Sequence, residues 1–293
     1  MLALRAALPL ALLAACMAPP PAAQTPSGEA AMIDANRRAD AYLRGGDLEG
    51  AARQYREAIR VAQTVEDADG IATNAINLSI VYQRLGRTED ARASLGLLLD
   101  RSTLAFSQER MAQAAVRRAV LDMDDRRAAS AGEWLDRAAG YCGRGCSVSA
   151  TIQNVRGQLA LDAGRPDQAA ASARAALAVS RASGDRAESA NALRLLGAVA
   201  IRGGDAASAS AYLGEALAID RELGLPRKIY LDLIALGRAS ALRGDRAAAR
   251  SFYERARAVS EADRDGAGTA QAKALIEALG DTMQAKQPSP GQP

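Results

Sequence analysis

Small residues recur through this chain at a nearly constant spacing. Six alanines are separated by 40, 40, 38, 40 and 40 residues: Ala51, Ala91, Ala131, Ala169, Ala209 and Ala249. A glycine lies five positions before the alanine in every unit but the third, where Arg126 takes its place. A second small residue lies twelve positions before each alanine, as at Ser79 and Gly197. A period of this length is typical of an array of helical pairs, each burying its apolar face against the next.

The composition favours helices and argues against nucleic acid as a ligand. Aromatic residues make up 3% of the 293 residues, and runs of Val, Ile, Thr and Tyr that would form strands are almost absent. Ala, Leu, Arg and Glu, which favour helices, are abundant. The 37 basic and 34 acidic residues are interleaved, so the sequence shows no clustered basic face of the kind that binds nucleic acid. We therefore predict an all-α protein that does not bind nucleic acid.

Each unit carries the signals of two helices joined by a short turn. The glycine falls where the first helix must end, since glycine readily adopts the left-handed cap conformation. Pro166 suits the first turn of a second helix, where its missing N–H has no partner to lose. A glycine in mid-helix costs about 1 kcal/mol, so its recurrence there indicates close approach of a neighbouring helix. Polar residues that can cap the second helix follow the turn in four units: Asp47, Thr88, Asp205 and Asp245.

The second unit shows the whole pattern, with NLSIVYQRLGRTEDA over residues 77–91. This sequence resembles a tetratricopeptide repeat, in the longer variety of about 40 residues. The resemblance extends over residues 32–260 and implies a right-handed α-solenoid of six helix pairs. We expect the solenoid over residues 32–265, a capping helix over 266–286 and a disordered tail over 287–293. Whether the third unit, which lacks the glycine, forms a complete pair is left open.

The N-terminus has the pattern of an export signal. Arg5 precedes an apolar run over residues 6–15, which is too short to span a bilayer but has the length of a signal-peptide core. The run ends in Leu-Ala-Ala-Cys and resembles a bacterial lipobox. That resemblance implies that residues 1–15 are a lipoprotein signal peptide and that Cys16 carries the lipid. An ordinary secretory peptide that happens to end before a cysteine is the alternative.

Residues 16–31 are rich in proline and small residues, which predicts a flexible tether between the lipid and the folded body. In lipoproteins of this kind an aspartate after the cysteine favours retention in the inner membrane. The residue here is Met17, so the resemblance implies anchoring in the bacterial outer membrane, on its periplasmic face.

The two remaining cysteines, Cys142 and Cys146, are four residues apart with two glycines between them. In an oxidising periplasm they can close a small disulfide loop between the third and fourth units. Free thiols are one alternative. A redox pair or metal site is another, but the spacing is not Cys-x-x-Cys and the chain has no histidine to complete a zinc site.

Nothing in the sequence predicts catalysis or a cofactor. The absence of histidine excludes histidine-based triads, and no glycine-rich phosphate loop occurs. Asp124 and Asp125 could form a carboxylate pair, but a solvated turn is the simpler interpretation because adjacent helical residues point apart. Trp134 is expected to pack between the third and fourth units, with ligand stacking as the alternative. We predict that the protein is not an enzyme.

The resemblance implies an interaction module that binds an extended peptide in the groove lined by the first helices of each pair. The partner would be a somewhat acidic segment of another cell-envelope protein, held by asparagine amides and arginine forks. Alternatives are a small-ligand or glycan receptor with a pocket inside the solenoid, or groove residues that are merely solvated. On this interpretation, replacing Asn77, Asn154 and Arg194 with alanine weakens binding without changing the melting temperature. On the family's frame six polar residues face the groove: Asn36, Asn77, Arg117, Asn154, Arg194 and Arg238.

Overall fold

The computed structural model describes residues 28–100, 103–143 and 146–284, with the side chains of 29 and 281–284 excepted. Within these residues the chain forms thirteen α-helices and no strand. They are α1 (Gly28–Gly45), α2 (Leu48–Thr64), α3 (Ala68–Arg84), α4 (Thr88–Leu99), α5 (Gln108–Asp124), α6 (Ala128–Cys142), α7 (Ser149–Asp162), α8 (Pro166–Ser183), α9 (Arg186–Arg202), α10 (Ala206–Glu222), α11 (Pro226–Leu242), α12 (Arg246–Ala262) and α13 (Gly266–Gln284).

Each helix packs against the next along the chain, which gives six pairs followed by α13. The odd-numbered helices from α3 to α9 also contact the next odd-numbered helix. Contacts of this second kind bring the first helices of successive pairs together on one side, which is the concave side of an α-solenoid. The predicted all-α solenoid is therefore confirmed, and the third unit is a complete pair, α5 and α6.

The turn inside each pair depends on one residue in the left-handed region. The glycines predicted to end the first helices all have φ between +71° and +81°: Gly46, Gly86, Gly164, Gly204 and Gly244. In the third unit Arg126 occupies the same position with φ +59°. The third unit thus keeps the same backbone geometry without glycine. The left-handed conformation raises the free energy of the folded state there, because it is unfavourable for an L-residue.

The predicted helix caps are confirmed in three of four units. The side chains of Asp47, Asp205 and Asp245 each accept a hydrogen bond from the backbone N–H three residues later. The prediction for Thr88 was wrong, because this residue is already inside α4 and Arg87 precedes the helix without a side-chain cap. Pro166 stands in the first turn of α8, as expected.

The recurring small residues lie where helices approach closely. All six alanines of the period are fully buried. A Cβ atom added at Gly197 would lie 2.6 Å from Cγ of Leu213 on α10, so this site has no room for a side chain. The repeat period therefore records helix-to-helix contact, as the sequence indicated.

The N-terminal boundary differs from the expectation, and the C-terminal one agrees with it closely. Residues 28–31 were assigned to the flexible tether, but they form the first turn of α1. The capping helix runs from Gly266 to Gln284 and packs against α12. The predicted signal peptide, Cys16 and the C-terminal tail lie outside the described residues. None of the helices described is long and apolar enough to cross a membrane.

The cysteine segment lies at the junction of the third and fourth pairs. α6 ends at Cys142, and Cys146 lies three residues before α7 begins at Ser149. Their Cα atoms are 5.3 Å apart and their sulfur atoms are in bonding contact. This geometry accommodates the predicted disulfide at the shortened step of the repeat, and the oxidation state of the mature protein stays a prediction.

Candidate functional site

A groove of about 650 Å³ runs along the concave side of the C-terminal half of the solenoid. Five odd-numbered helices line it: α5, α7, α9, α11 and α13. Because these are the first helices of their pairs, together with the capping helix, the groove lies on the surface where the sequence predicted one.

The six predicted groove residues fall into three groups according to the cavity that they line. Asn154, Arg194 and Arg238 come together in this groove. Arg117 lines a smaller adjoining cavity of about 420 Å³ between α5 and α7. Asn36 on α1 and Asn77 on α3 line neither of these two cavities. All six residues lie on first helices of the pairs, but the structure brings only three of them into one groove.

Arg194 is the centre of a buried ionic cluster. Its Nε atom donates to Oδ1 of Asp232 at 2.7 Å, and Nη2 donates to Asp220. Its third nitrogen, Nη1, donates to Oδ1 of Asn191 at 2.9 Å. Both carboxylates are almost fully buried, with 1% of Asp220 and 0% of Asp232 exposed. The guanidinium thus binds carboxylates of its own chain, which changes the predicted role of Arg194 from a ligand fork to a structural tie.

The burial of Asp232 has an electrostatic consequence. The pKa of this carboxyl group is raised to about 7, chiefly by desolvation, and the charge of the adjacent Asp220 acts in the same direction. Arg194 opposes both effects by stabilising the charged form. A buried pair of carboxyl groups beside one cation keeps a proton more readily than an exposed aspartate does.

The polar rim of the groove is held by further contacts between pairs. Asn154 Nδ2 donates to the backbone oxygen and to Oε2 of Glu188, at 3.1 and 2.7 Å. Lys228 Nζ donates to Oδ1 of Asn191 at 3.0 Å, and burial, followed by the charge of Arg194, lowers the lysine pKa. Arg238 is exposed at the rim. The asparagine and lysine are therefore ordered by their neighbours, whereas Arg238 faces solvent.

Apolar side chains form the floor, and the sequence interpretation did not name them. They come from the facing surfaces of α9 and α11: Leu195, Ala198, Leu231, Ile234 and Ala235. Leu231 is 39% exposed although it is large and apolar. The signal was present in the sequence, since Leu195 and Ala235 are exactly one period apart, but apolar residues at helical spacing are usually assigned to the core.

The groove is lined by three carboxylates and three cations, which are unevenly distributed. The carboxylates are Asp124 on α5, Asp162 on α7 and Glu188 at the start of α9. The cations are Arg194 on α9, which is bound to Asp220 and Asp232, and Lys228 and Arg238 on α11. The somewhat acidic segment expected from the sequence would be complementary in charge to the α11 side of the groove and not to the α5 and α7 side.

The remaining sequence candidates have structural contacts. Arg117 donates to the Ser79 hydroxyl at 3.1 Å and also to Gln83, and burial lowers its pKa to about 10. Asp125 accepts a hydrogen bond from the buried Arg92, so the exposed turn is also tied to the second pair. Trp134 is half-buried against the apolar core, with the Arg137 guanidinium 4.0 Å from its ring centre.

The sequence matches one family model. Residues 29–102 and 148–222, together just over half of the chain, match the model described as the tetratricopeptide repeat. No curated protein matches the sequence.

Solved structures show the same fold at low sequence identity. A signal-transduction ATPase with a tetratricopeptide repeat sensor from Pyrococcus horikoshii is 15% identical, with a TM-score of 0.62 over 86% of this chain. This chain spans only 38% of that protein. A Rap protein complexed with the competence and sporulation factor is 13% identical, with a TM-score of 0.59 over 90% of this chain and 78% of the other. The type IV pilus biogenesis factor PilW is 15% identical, with a TM-score of 0.53 over 82% and 97% of the two chains.

Proposed function

The chain belongs to the tetratricopeptide repeat family, and we propose that it is a scaffold that binds an extended segment of a cell-envelope protein in the concave groove. Proteins built from such repeats generally mediate protein–protein interaction. The observation that carries the proposal is the apolar floor of the groove, where Leu231 is 39% exposed, bordered by ordered polar side chains. An exposed apolar surface with a polar rim is the usual form of an interaction site.

The ligand is expected to carry opposite charges at its two ends. A basic side chain would face Asp124 and Asp162, and an acidic one would face Lys228 and Arg238. Apolar side chains between them would cover Leu231. This arrangement fixes the direction in which the segment lies, because the reversed segment would place like charges together.

Site-specific photo-crosslinking tests the groove directly in cells. A photoreactive amino acid at Leu231 should give a discrete adduct with one envelope protein. Leu223 is the matched control, because it is also 39% exposed but lies at the end of α10, outside the groove. Adding Arg238→Glu should reduce the adduct at position 231, since the acidic end of the ligand would be repelled. Equal adducts from positions 231 and 223 would contradict the proposal.

The N-terminal resemblance supports a location for the scaffold. We propose that it lies on the periplasmic face of the outer membrane, held by lipid on Cys16. The substitution Cys16→Ser should release the protein from the membrane fraction or block its processing. An unmodified N-terminus other than Cys16 in the native protein, found by mass spectrometry, would exclude lipid anchoring.

A scaffold of this kind carries out no chemistry, so we assign it no substrate and no cofactor. The small-ligand or glycan receptor remains the alternative outcome of the crosslinking experiment. In that case neither groove position would give a protein adduct, and the purified protein would retain a small molecule.

A further inference from the structure

A second cleft, of about 790 Å³, lies where the two ends of the solenoid approach each other. One wall comes from the first three helices, with Arg44 at the end of α1 and Arg84 at the end of α3. The other wall comes from the last units, with Arg227 at the start of α11 and Arg264 in the turn before α13. Arginines about 200 residues apart in sequence therefore face the same space. Nothing in the proposed groove function requires this arrangement.

The cleft has an excess of positive charge. Its four arginines are accompanied by two carboxylates, those of Asp263 and Asp265. Asp265 is already engaged, because it accepts a hydrogen bond from the Gly268 N–H at 3.0 Å and lies 3.8 Å from Arg227. Positive charges brought together in a concave surface raise the local electrostatic potential, so such a surface attracts anions.

Three of these arginines have no carboxylate partner in the part of the chain that the structure describes. Arg227 pairs with Asp265, but none of the ion pairs between described residues includes Arg44, Arg84 or Arg264. The segments 1–27, 101–102, 144–145 and 285–293 contain no Asp or Glu that could supply one.

Two acidic residues remain to be considered, Glu29 and Asp281. Each stands at the far end of a helix from the cleft, Glu29 on α1 and Asp281 on α13. At a rise of 1.5 Å per residue, their backbone is about 20 Å from the cleft. The excess of positive charge in the cleft is therefore not offset by these two residues.

We propose that this cleft binds a phosphate-type oxyanion that bridges the first and last units of the solenoid. The planar guanidinium fork matches phosphate oxygens in pairs, and a phosphoryl group carries close to two negative charges at neutral pH. The net charge of the cleft matches such a ligand. Its volume exceeds that of a single phosphate, which suits a diphosphate or a phospholipid headgroup. Binding would join the two ends and stabilise one curvature of the solenoid.

The test is calorimetric titration of the purified protein with inorganic diphosphate at low salt. Saturable binding with one site per chain is expected. Because both walls contribute, Arg84→Gln and Arg264→Gln should each weaken binding by about tenfold, the loss typical of one charge-assisted hydrogen bond. The matched control is the double variant Arg56→Gln and Arg174→Gln, which removes two exposed arginines elsewhere and should bind as the wild type does.

Co-sedimentation with vesicles of phosphatidylglycerol distinguishes the source of the phosphate. Binding to diphosphate without arginine-dependent sedimentation indicates a free ligand, whereas sedimentation lost in Arg264→Gln indicates a headgroup. If neither probe binds, or if the control variant loses as much affinity as the cleft variants, the proposed site is wrong.

Discussion

Removal of the Arg194 guanidinium tests the buried ionic cluster most directly. The substitution Arg194→Met keeps much of the aliphatic stem but leaves Asp220 and Asp232 without their shared cation. Breaking a buried ion pair by deleting one partner typically costs about 3–5 kcal/mol. The two carboxyl groups can hold a proton between them, which offsets part of that cost, so we expect a loss of about 3 kcal/mol at neutral pH.

The free energy of unfolding that Arg194→Met removes should increase with pH. The pKa of Asp232 in the folded protein, about 7, is above the ordinary value of an unfolded aspartate. The folded state therefore holds more protons than the unfolded state between about pH 4 and pH 7, and stability falls as the pH rises through that window. Without Arg194 the folded-state pKa rises further, since the cation no longer favours the charged form. The variant should thus lose more stability between pH 5 and pH 8 than the wild type does.

Urea denaturation followed by circular dichroism at both pH values measures this effect. Hydrogen exchange would show whether the loss is confined to α9–α11, since repeat arrays can unfold unit by unit. Arg238→Met is the matched control, because Arg238 lines the same groove but is exposed, and surface substitutions change stability by about 0.5 kcal/mol or less. If the two variants differ by less than about 1 kcal/mol at pH 8, the cluster is not the structural tie described above.

Three further changes test the packing, the turn and the cysteine loop. Leu213→Ala removes a fully buried side chain that packs over Gly197. It should lower the free energy of unfolding in urea by about 2–5 kcal/mol, and a loss below about 1 kcal/mol would show that the site collapses around the smaller side chain. Arg126→Gly should stabilise the protein by about 1 kcal/mol in thermal unfolding, because φ is +59° at an exposed turn; a lower melting temperature would reveal an unseen role for the side chain. Reduction of the predicted disulfide between Cys142 and Cys146 should cost about 2 kcal/mol or less and increase hydrogen exchange mainly between α6 and α7, whereas two reactive thiols in the untreated protein would exclude the bond.

The sequence by itself determined the helical pairs and their turns. The period of 40 residues, the capping of Asp47 and the left-handed position of Gly46 depend on neighbours within a few residues, so local physical chemistry is enough to predict them. Even the departure at Arg126 was visible in the sequence, although only the structure shows that the turn keeps its conformation there. The same pattern also predicted which helices line the groove, since the first helices of the pairs must share one face.

Tertiary structure decided which side chains in the groove are available to a ligand. Arg194 was expected to face a partner, but it binds Asp232, 38 residues away on the next pair, and Asp220 on its own pair. Likewise, the approach of Arg44 and Arg264 depends on how far the solenoid curves over six pairs. Curvature accumulates from a small rotation at each contact between units. That rotation is set by the packing of many side chains at once, which no spacing of residues along the chain specifies.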